Sequence, residues 1–243
     1  MAELGRAALL VTLGLAAYAL VVGAWAAAAR RRRAASSARN ALVATFFTSA
    51  VAIAILFVAF ARRDFSFVYV ASLSSELLPT PYALTALWGG AAGSLLLWLV
   101  VLTGFAALAV LRARRSERDL LPWVVPVLGG VVVAFAFLLV MVQSPFETQV
   151  APSDGRGLNP SLQNPYMVAH PVFLYLGYVG LTVPWAFAIG ALLSGKTDER
   201  WIVATRRWTL VAWAFLGVGQ LVGAKWAYEE VGWGGYYAWD PVE

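Results

Sequence analysis

Six apolar runs, parted by linkers that are alternately rich and poor in arginine, constrain this chain more than any other feature. They cover about Ala7–Ala29, Ala41–Ala61, Leu84–Leu111, Leu121–Val142, Val172–Leu193 and Trp208–Tyr228. Each is about 20 residues or longer, the length a helix needs to cross ~30 Å of hydrocarbon. Within a bilayer every backbone N–H and C=O needs a partner in the protein, which leaves helices and closed barrels as spanning elements. No stretch shows the sustained two-residue alternation of a barrel strand. The expected class is an all-α integral membrane protein with six transmembrane helices. Composition agrees, since 61% of the 243 residues are hydrophobic and 13% are charged, against roughly 25% charged in soluble domains.

The basic residues orient the six spans. The first, third and fifth linkers hold Arg30–Arg33, Arg39, Arg112, Arg114, Arg115, Arg118, Lys196, Arg200, Arg206 and Arg207. The other side keeps Arg6, Arg62, Arg63, Arg156 and Lys225. The positive-inside rule then puts the arginine-rich linkers in the cytoplasm and both termini on the periplasmic, external side. The first run is longer than a signal peptide's apolar core, and the arginines after it form a stop-transfer pattern, so it reads as a retained helix. The net charge of +5 is explained by topology, and nucleic acid is not an expected partner.

On this reading the external face holds Asp64–Tyr82, Ser144–Ala169 and the residues after about Tyr228. These stretches are rich in Pro, Asn, Ser and Gly and should form ordered surface loops. The cytoplasmic linkers read as plain connectors, and 1–243 reads as a single polytopic membrane region. There are no cysteines, so any thiol chemistry belongs to another molecule.

Two places carry candidate chemistry. His170 is the only histidine. Standing before Pro171, it is expected where an external loop enters the fifth helix. Either it is a helix-entry side chain bonded to a neighbouring backbone group, or it is a metal or haem-iron ligand. The second place is the tail, where Trp226, Tyr228, Trp233, Tyr236, Tyr237 and Trp239 surround three glycines. An interfacial aromatic belt accounts for Trp and Tyr. A planar-ligand platform also accounts for the glycines, which permit close backbone approach to a flat ligand. Of the remaining features, Leu87–Trp98 reads as small-residue packing in the third helix, and Pro184 as a kink in the fifth. Asp240 and Glu243 read as turn-stabilising groups, and no nucleophile–base pair or metal-ligand cluster is present.

The segment Trp233-Gly234-Gly235-Tyr236-Tyr237-Ala238-Trp239-Asp240-Pro241-Val242-Glu243 resembles the tryptophan-rich WWD signature of haem-handling membrane proteins. Its best match is the CcmF/NrfE group, the cytochrome c-type biogenesis haem lyases. Leu87–Gly90, Gly93–Trp98 and Leu158–Gly180 also resemble that group's N-terminal region, so the resemblance covers the whole chain. It implies a bacterial inner-membrane protein that binds haem and takes part in its attachment to apocytochrome c at a Cys-X-X-Cys-His site. It further implies a periplasmic haem chaperone and a thiol-reducing partner. Haem would be held in the external segment 226–243 by Trp233, Gly234, Gly235, Tyr236, Trp239, Asp240 and Pro241, with His170 an axial ligand to iron. Tyr237 and Ala238 depart from the family's larger aromatics. Family members continue for several hundred residues, with histidines for an embedded bis-histidine haem b. One imidazole does not complete that site, which predicts a fragment, a truncated product or one half of a split lyase. A haem-delivery or export subunit and an unrelated small-molecule transporter are the competing readings.

Overall fold

The computed structural model describes residues 1–113 and 118–230, and nine α-helices carry them. In chain order these are α1 (Ala2–Ala28), α2 (Arg32–Ala61), α3 (Val68–Leu73), α4 (Thr80–Thr85), α5 (Ala91–Arg112), α6 (Leu121–Met141), α7 (Pro165–Gly180), α8 (Thr182–Ser194) and α9 (Arg200–Glu230). Helices α1, α2, α5, α6 and α9 are each long and apolar enough to cross a membrane, and α7 with α8 makes a sixth span. The chain is thus an all-α multi-pass membrane protein. Its outward faces carry Leu4, Val21, Phe47, Leu108, Trp213 and Leu221, exposed as lipid-facing side chains must be.

The helices overrun the apolar runs at their polar ends. α2 starts at Arg32 rather than near Ala41, and α9 at Arg200 rather than near Trp208. Arginine is a good helix former, and a helix continues past the hydrocarbon edge once water can solvate its side chains. The α1–α2 turn is correspondingly tight. Arg30 takes φ 54°, with Arg31 N–H donating to Ala26 O at 2.9 Å and Arg30 N–H to Ala27 O at 3.4 Å, a Schellman ending. Arg63 repeats the device at the end of α2 with φ 51°. Its guanidinium then donates to Ser75 O (Nε, 3.1 Å) and Leu78 O (Nη2, 2.8 Å).

The core follows from spacing. α1 buries Gly5, Leu9, Thr12, Ala16, Ala19, Gly23 and Ala26, alternating four and three apart, with Ala2 and Ala27 also buried at its ends. α2 buries Ala38, Leu42, Thr45, Ser49, Ala52, Leu56 and Ala59 on the same period. This is a heptad seam in small residues, which lets two backbones approach where lipid supplies no hydrophobic drive between helices. α6 closes on α1 from the other side, where a Cβ on Gly129 would lie 2.9 Å from Leu20 N. Hydroxyl pairs cross the seams at Thr12–Thr48 (2.7 Å) and Ser49–Thr103 (2.8 Å). α5 joins this body to α7, α6 joins it to α8, and α9 packs on α7 and α8.

One segment differs from the sequence reading. Leu84–Trp88 does not belong to the third spanning helix. It forms the end of α4 and a 3-10 turn, Ala86–Trp88, before α5 starts at Ala91. The small residue at Gly93 therefore serves the chain's own preceding turn, since a Cβ there would overlap the Leu87 carbonyl. The Tyr69 hydroxyl lies 2.9 Å from both Leu87 O and Gly90 O. A phenol is a donor at neutral pH already at its ordinary value, and burial pushes this one well above it. In the fifth span, Pro184 stands in the first turn of α8, and the helix is interrupted at Leu181. A proline there has no N–H for the carbonyl four residues back, at Gly180.

The loops at the end of the bundle where α2, α6 and α9 finish are joined to one another. Val68 N–H donates to Glu147 O (2.9 Å), Gln149 N–H to Ser66 O (2.9 Å) and Arg156 N–H to Ala71 O (2.7 Å), and Phe67 bridges Thr148. Phe65, Phe67, Phe146 and Leu158 are buried beneath them.

Candidate functional site

The site begins at Asn164-Pro165. Asn164 caps α7 by accepting the Tyr166 N–H on Oδ1 at 2.8 Å, and Pro165 opens the helix. Both are favoured in those positions. The helix thus starts before His170 rather than after it. His170 lies in the second turn of α7, half-buried, and Pro171 is inside the helix. The expected helix-entry position is corrected accordingly. The reason is the cap, which starts the helix ahead of the apolar run.

α7 and α9 run antiparallel and share glycine notches. A Cβ on Gly177 would overlap Leu216, one on Gly219 would lie 2.8 Å from Leu174 Cδ2, and one on Gly223 would overlap the His170 imidazole. Each glycine admits a large side chain of the opposite helix, and the last notch holds the histidine. There His170 Nδ1 lies 2.8 Å from Gly219 O. A carbonyl can only accept, so Nδ1 carries the hydrogen and the neutral ring keeps its lone pair on Nε2. The Trp226 indole lies parallel to the imidazole, centroids 6.4 Å apart and planes 15° apart. Trp226 is fixed in turn, since its Nε1–H donates to Ser161 O at 2.8 Å.

A polar lock closes the same end. Asn164, buried, donates through Nδ2 to Glu230 Oε1 (2.9 Å) and Glu229 Oε2 (3.2 Å). Lys225 pairs with Glu229 Oε1 at 2.8 Å, and its Nζ lies over the rings of Tyr166 and Tyr228. The start of α7 and the end of α9 are therefore tied directly ahead of residues 231–243. Trp233, Gly234, Gly235, Tyr236, Trp239, Asp240 and Pro241 fall in that stretch, outside the described residues. Of the aromatic tail, the structure brings Trp226 to His170.

The sequence reading missed Asn164, Gly223 and Glu229–Glu230 as parts of the site. Asn-Pro at a helix start was a signal available for the first. The pairing of Gly223 with His170 had none, since it depends on how two helices are set against each other.

As a ligand set, the site offers one imidazole with a free Nε2 lone pair, a parallel indole and a half-buried environment. Such a set could hold a flat, amphiphilic macrocycle whose metal takes a nitrogen ligand. No group of three or more His, Cys, Asp or Glu side chains able to hold a bare metal ion occurs among the described residues.

The fold and the site together define a helical multi-pass membrane protein with a lone imidazole held beside its tryptophan-rich end. The chain belongs to the cytochrome c assembly protein family, whose model matches residues 88–243. It is 44% identical to the cytochrome c-type biogenesis protein CcmF of Pseudomonas aeruginosa over 99% of its length, and 40% identical to that of Escherichia coli over its full length. The cytochrome c-type biogenesis protein NrfE of Haemophilus influenzae is 39% identical over 80% of the chain. A solved structure of a cytochrome c haem lyase CcmF superposes with a TM-score of 0.86 at 33% identity, covering all of this chain. The chain spans 37% of the length of the Pseudomonas relative and 38% of the solved lyase.

Proposed function

We propose that this chain takes part in cytochrome c maturation by holding haem at the outer surface of a bacterial inner membrane for attachment to apocytochrome c. The observation that carries the reading is the Nδ1–H bond from His170 to Gly219 O. It orients the ring and leaves Nε2 free, as outer-shell bonds do for metal-binding histidines. His170 would hold the iron through Nε2, and Trp226 with the 231–243 segment would supply stacking surface. Bound haem supplies the vinyl groups that become thioether links, and the thiols come from the Cys-X-X-Cys-His site of the apocytochrome. A periplasmic haem chaperone is the expected donor, and a thiol-reducing partner keeps the acceptor competent.

Orientation belongs to the same reading. With the arginine-rich linkers in the cytoplasm, both termini, the interlocked loops and His170 all face the periplasm. Reporter fusions after Arg118 and Lys196 should read cytoplasmic, and one after Asp154 periplasmic. A periplasmic signal after Arg118 overturns the topology. In the complete protein, His170→Ala and Trp239→Ala should each lower haem retention and cytochrome c maturation roughly tenfold, about 1.4 kcal/mol of binding, with membrane insertion unchanged. Wild-type maturation in both variants leaves the aromatics as an interfacial belt and ends the haem reading.

A further inference from the structure

A cleft of about 1170 Å³ opens at the opposite end of the bundle, between the ends of α1 and α5 and the starts of α2 and α6. Among the described residues its basic lining is Arg30, Arg31, Arg32, Arg39, Arg118 and Lys196, and Asp119 is the only acidic one. Lys196 Nζ is already paired with Asp119 at 3.0 Å. The positive-inside rule explains why arginines are at this end. It does not explain a cleft between them, nor the state of Arg39, whose Nε is buried without a hydrogen-bond partner among the described residues. A buried donor left unpaired costs about 1–3 kcal/mol.

Two helix starts add to the positive field. α2 and α6 both begin in the cleft lining, neither has a side-chain cap, and neither has an acidic residue in its first turn. α2 offers first-turn N–H groups, whereas in α6 Pro122 has none and the Trp123 N–H donates to Leu120 O (2.9 Å). α6 therefore contributes chiefly the positive end of its dipole, and both helix starts favour an anion. Arg32 and Arg33 in the first turn of α2 work against that dipole unless an anion sits between them. Arg30 holds φ 54°, a conformation glycine adopts at no steric cost. The deeper wall is apolar, with Val110, Leu121 and Val125. A basic rim over an apolar wall at the edge of a bilayer matches a molecule with a phosphate at one end and acyl chains at the other.

We propose that this cleft binds the headgroup of an anionic phospholipid, with Arg39, Arg118 and the starts of α2 and α6 around the phosphate. The site is independent of the haem reading and lies at the other membrane surface. It would brace the α1–α2 and α5–α6 connections against each other.

The test uses the complete protein purified in detergent, with phosphatidylglycerol, phosphatidylcholine and inorganic phosphate as probes. Phosphatidylglycerol should raise Tm by roughly 2–4 °C, and the shift should shrink in high salt. Arg39→Gln and, separately, the loop variant Arg118→Gln should each lose most of the shift. An equal shift from phosphatidylcholine, or a full shift retained in both variants, overturns the proposal. An equal shift from inorganic phosphate makes the occupant a free anion and overturns the lipid assignment. If Arg39→Gln does not fold, Arg118→Gln still decides. Native mass spectrometry of the wild type should also retain phosphatidylglycerol selectively, and an absence of retained anionic lipid counts against the site.

Discussion

The body formed by α1, α2, α5 and α6 and the outer pair α7–α9 both use small residues at helix seams, but to different ends. In α1 and α2, Ala, Gly, Ser and Thr repeat at three and four so that backbones meet evenly. The polar residues buried in these spans are all hydroxylic, Thr12, Thr45, Ser49 and Thr103, and each lies within hydrogen-bonding distance of a carbonyl of its own helix. In α7 and α9 the glycines are notches, each taking a large side chain from across the seam. One of those side chains is an imidazole, and an Asn–Glu lock seals the end beside it. Close approach thus gives tight packing in the body. In the outer pair it holds one polar ring in a set orientation.

The comparison is open to attack most directly at Gly129. Valine there would press its Cβ onto the α1 backbone, which cannot rotate aside. We expect a loss of roughly 3 kcal/mol, the upper end of overpacking penalties, seen as a collapse in folded yield on size exclusion. A well-folded Gly129→Val protein means the body is looser than its spacing implies.

Gly223→Ala sharpens the contrast. Its methyl would meet an imidazole rather than backbone, so the ring can swing away and the cost should fall to about 1–2 kcal/mol. The functional effect should be larger than the structural one, because His170 then loses Gly219 O. Haem retention in the complete protein should drop as far as in His170→Ala while Tm falls only a few degrees. Retention at the wild-type level removes the notch from the site.

Asn164→Ala removes the α7 cap and both bonds to α9. A loss of ~1 kcal/mol is expected from the cap, read as a lower Tm and faster amide exchange at the start of α7. An unchanged exchange pattern separates the lock from the histidine's placement. The smallest effect is expected at Asp198 in the α8–α9 linker. Arg200 beside it holds its carboxyl down at about 2, below the ~3.9 of an unfolded chain. A depressed carboxyl contributes stability above the unfolded value and loses it as pH falls through the folded one. Wild type should therefore exceed Asp198→Asn in Tm by a barely measurable margin at pH 7, closing between about pH 4 and pH 2. A margin that grows on acidification contradicts the ion pair.

Much of this architecture was legible from residues alone. Six spans, all helical, follow from six apolar runs, because satisfying the backbone in hydrocarbon is a demand each segment meets by itself. His170 and the tryptophan-rich tail were also singled out by type, and Trp226 does lie against His170. What the sequence reading lacked were features at helix ends, such as the α2 start at Arg32, the Asn164 cap and the turn at Ala86–Trp88. Apolar runs mark where lipid is, whereas helices stop where hydrogen bonds do.

The sequence by itself determined the class, the number of crossings and which side chains were worth watching, since hydropathy and residue chemistry are local properties. Only the tertiary structure decided that Gly223 faces His170, that Gly219 O takes the Nδ1 hydrogen, and that Arg39 and Arg118 line one cleft. Those pairings join residues from separate helices. They depend on the rotation and register of one helix against another, which close-packed seams set and no single segment encodes.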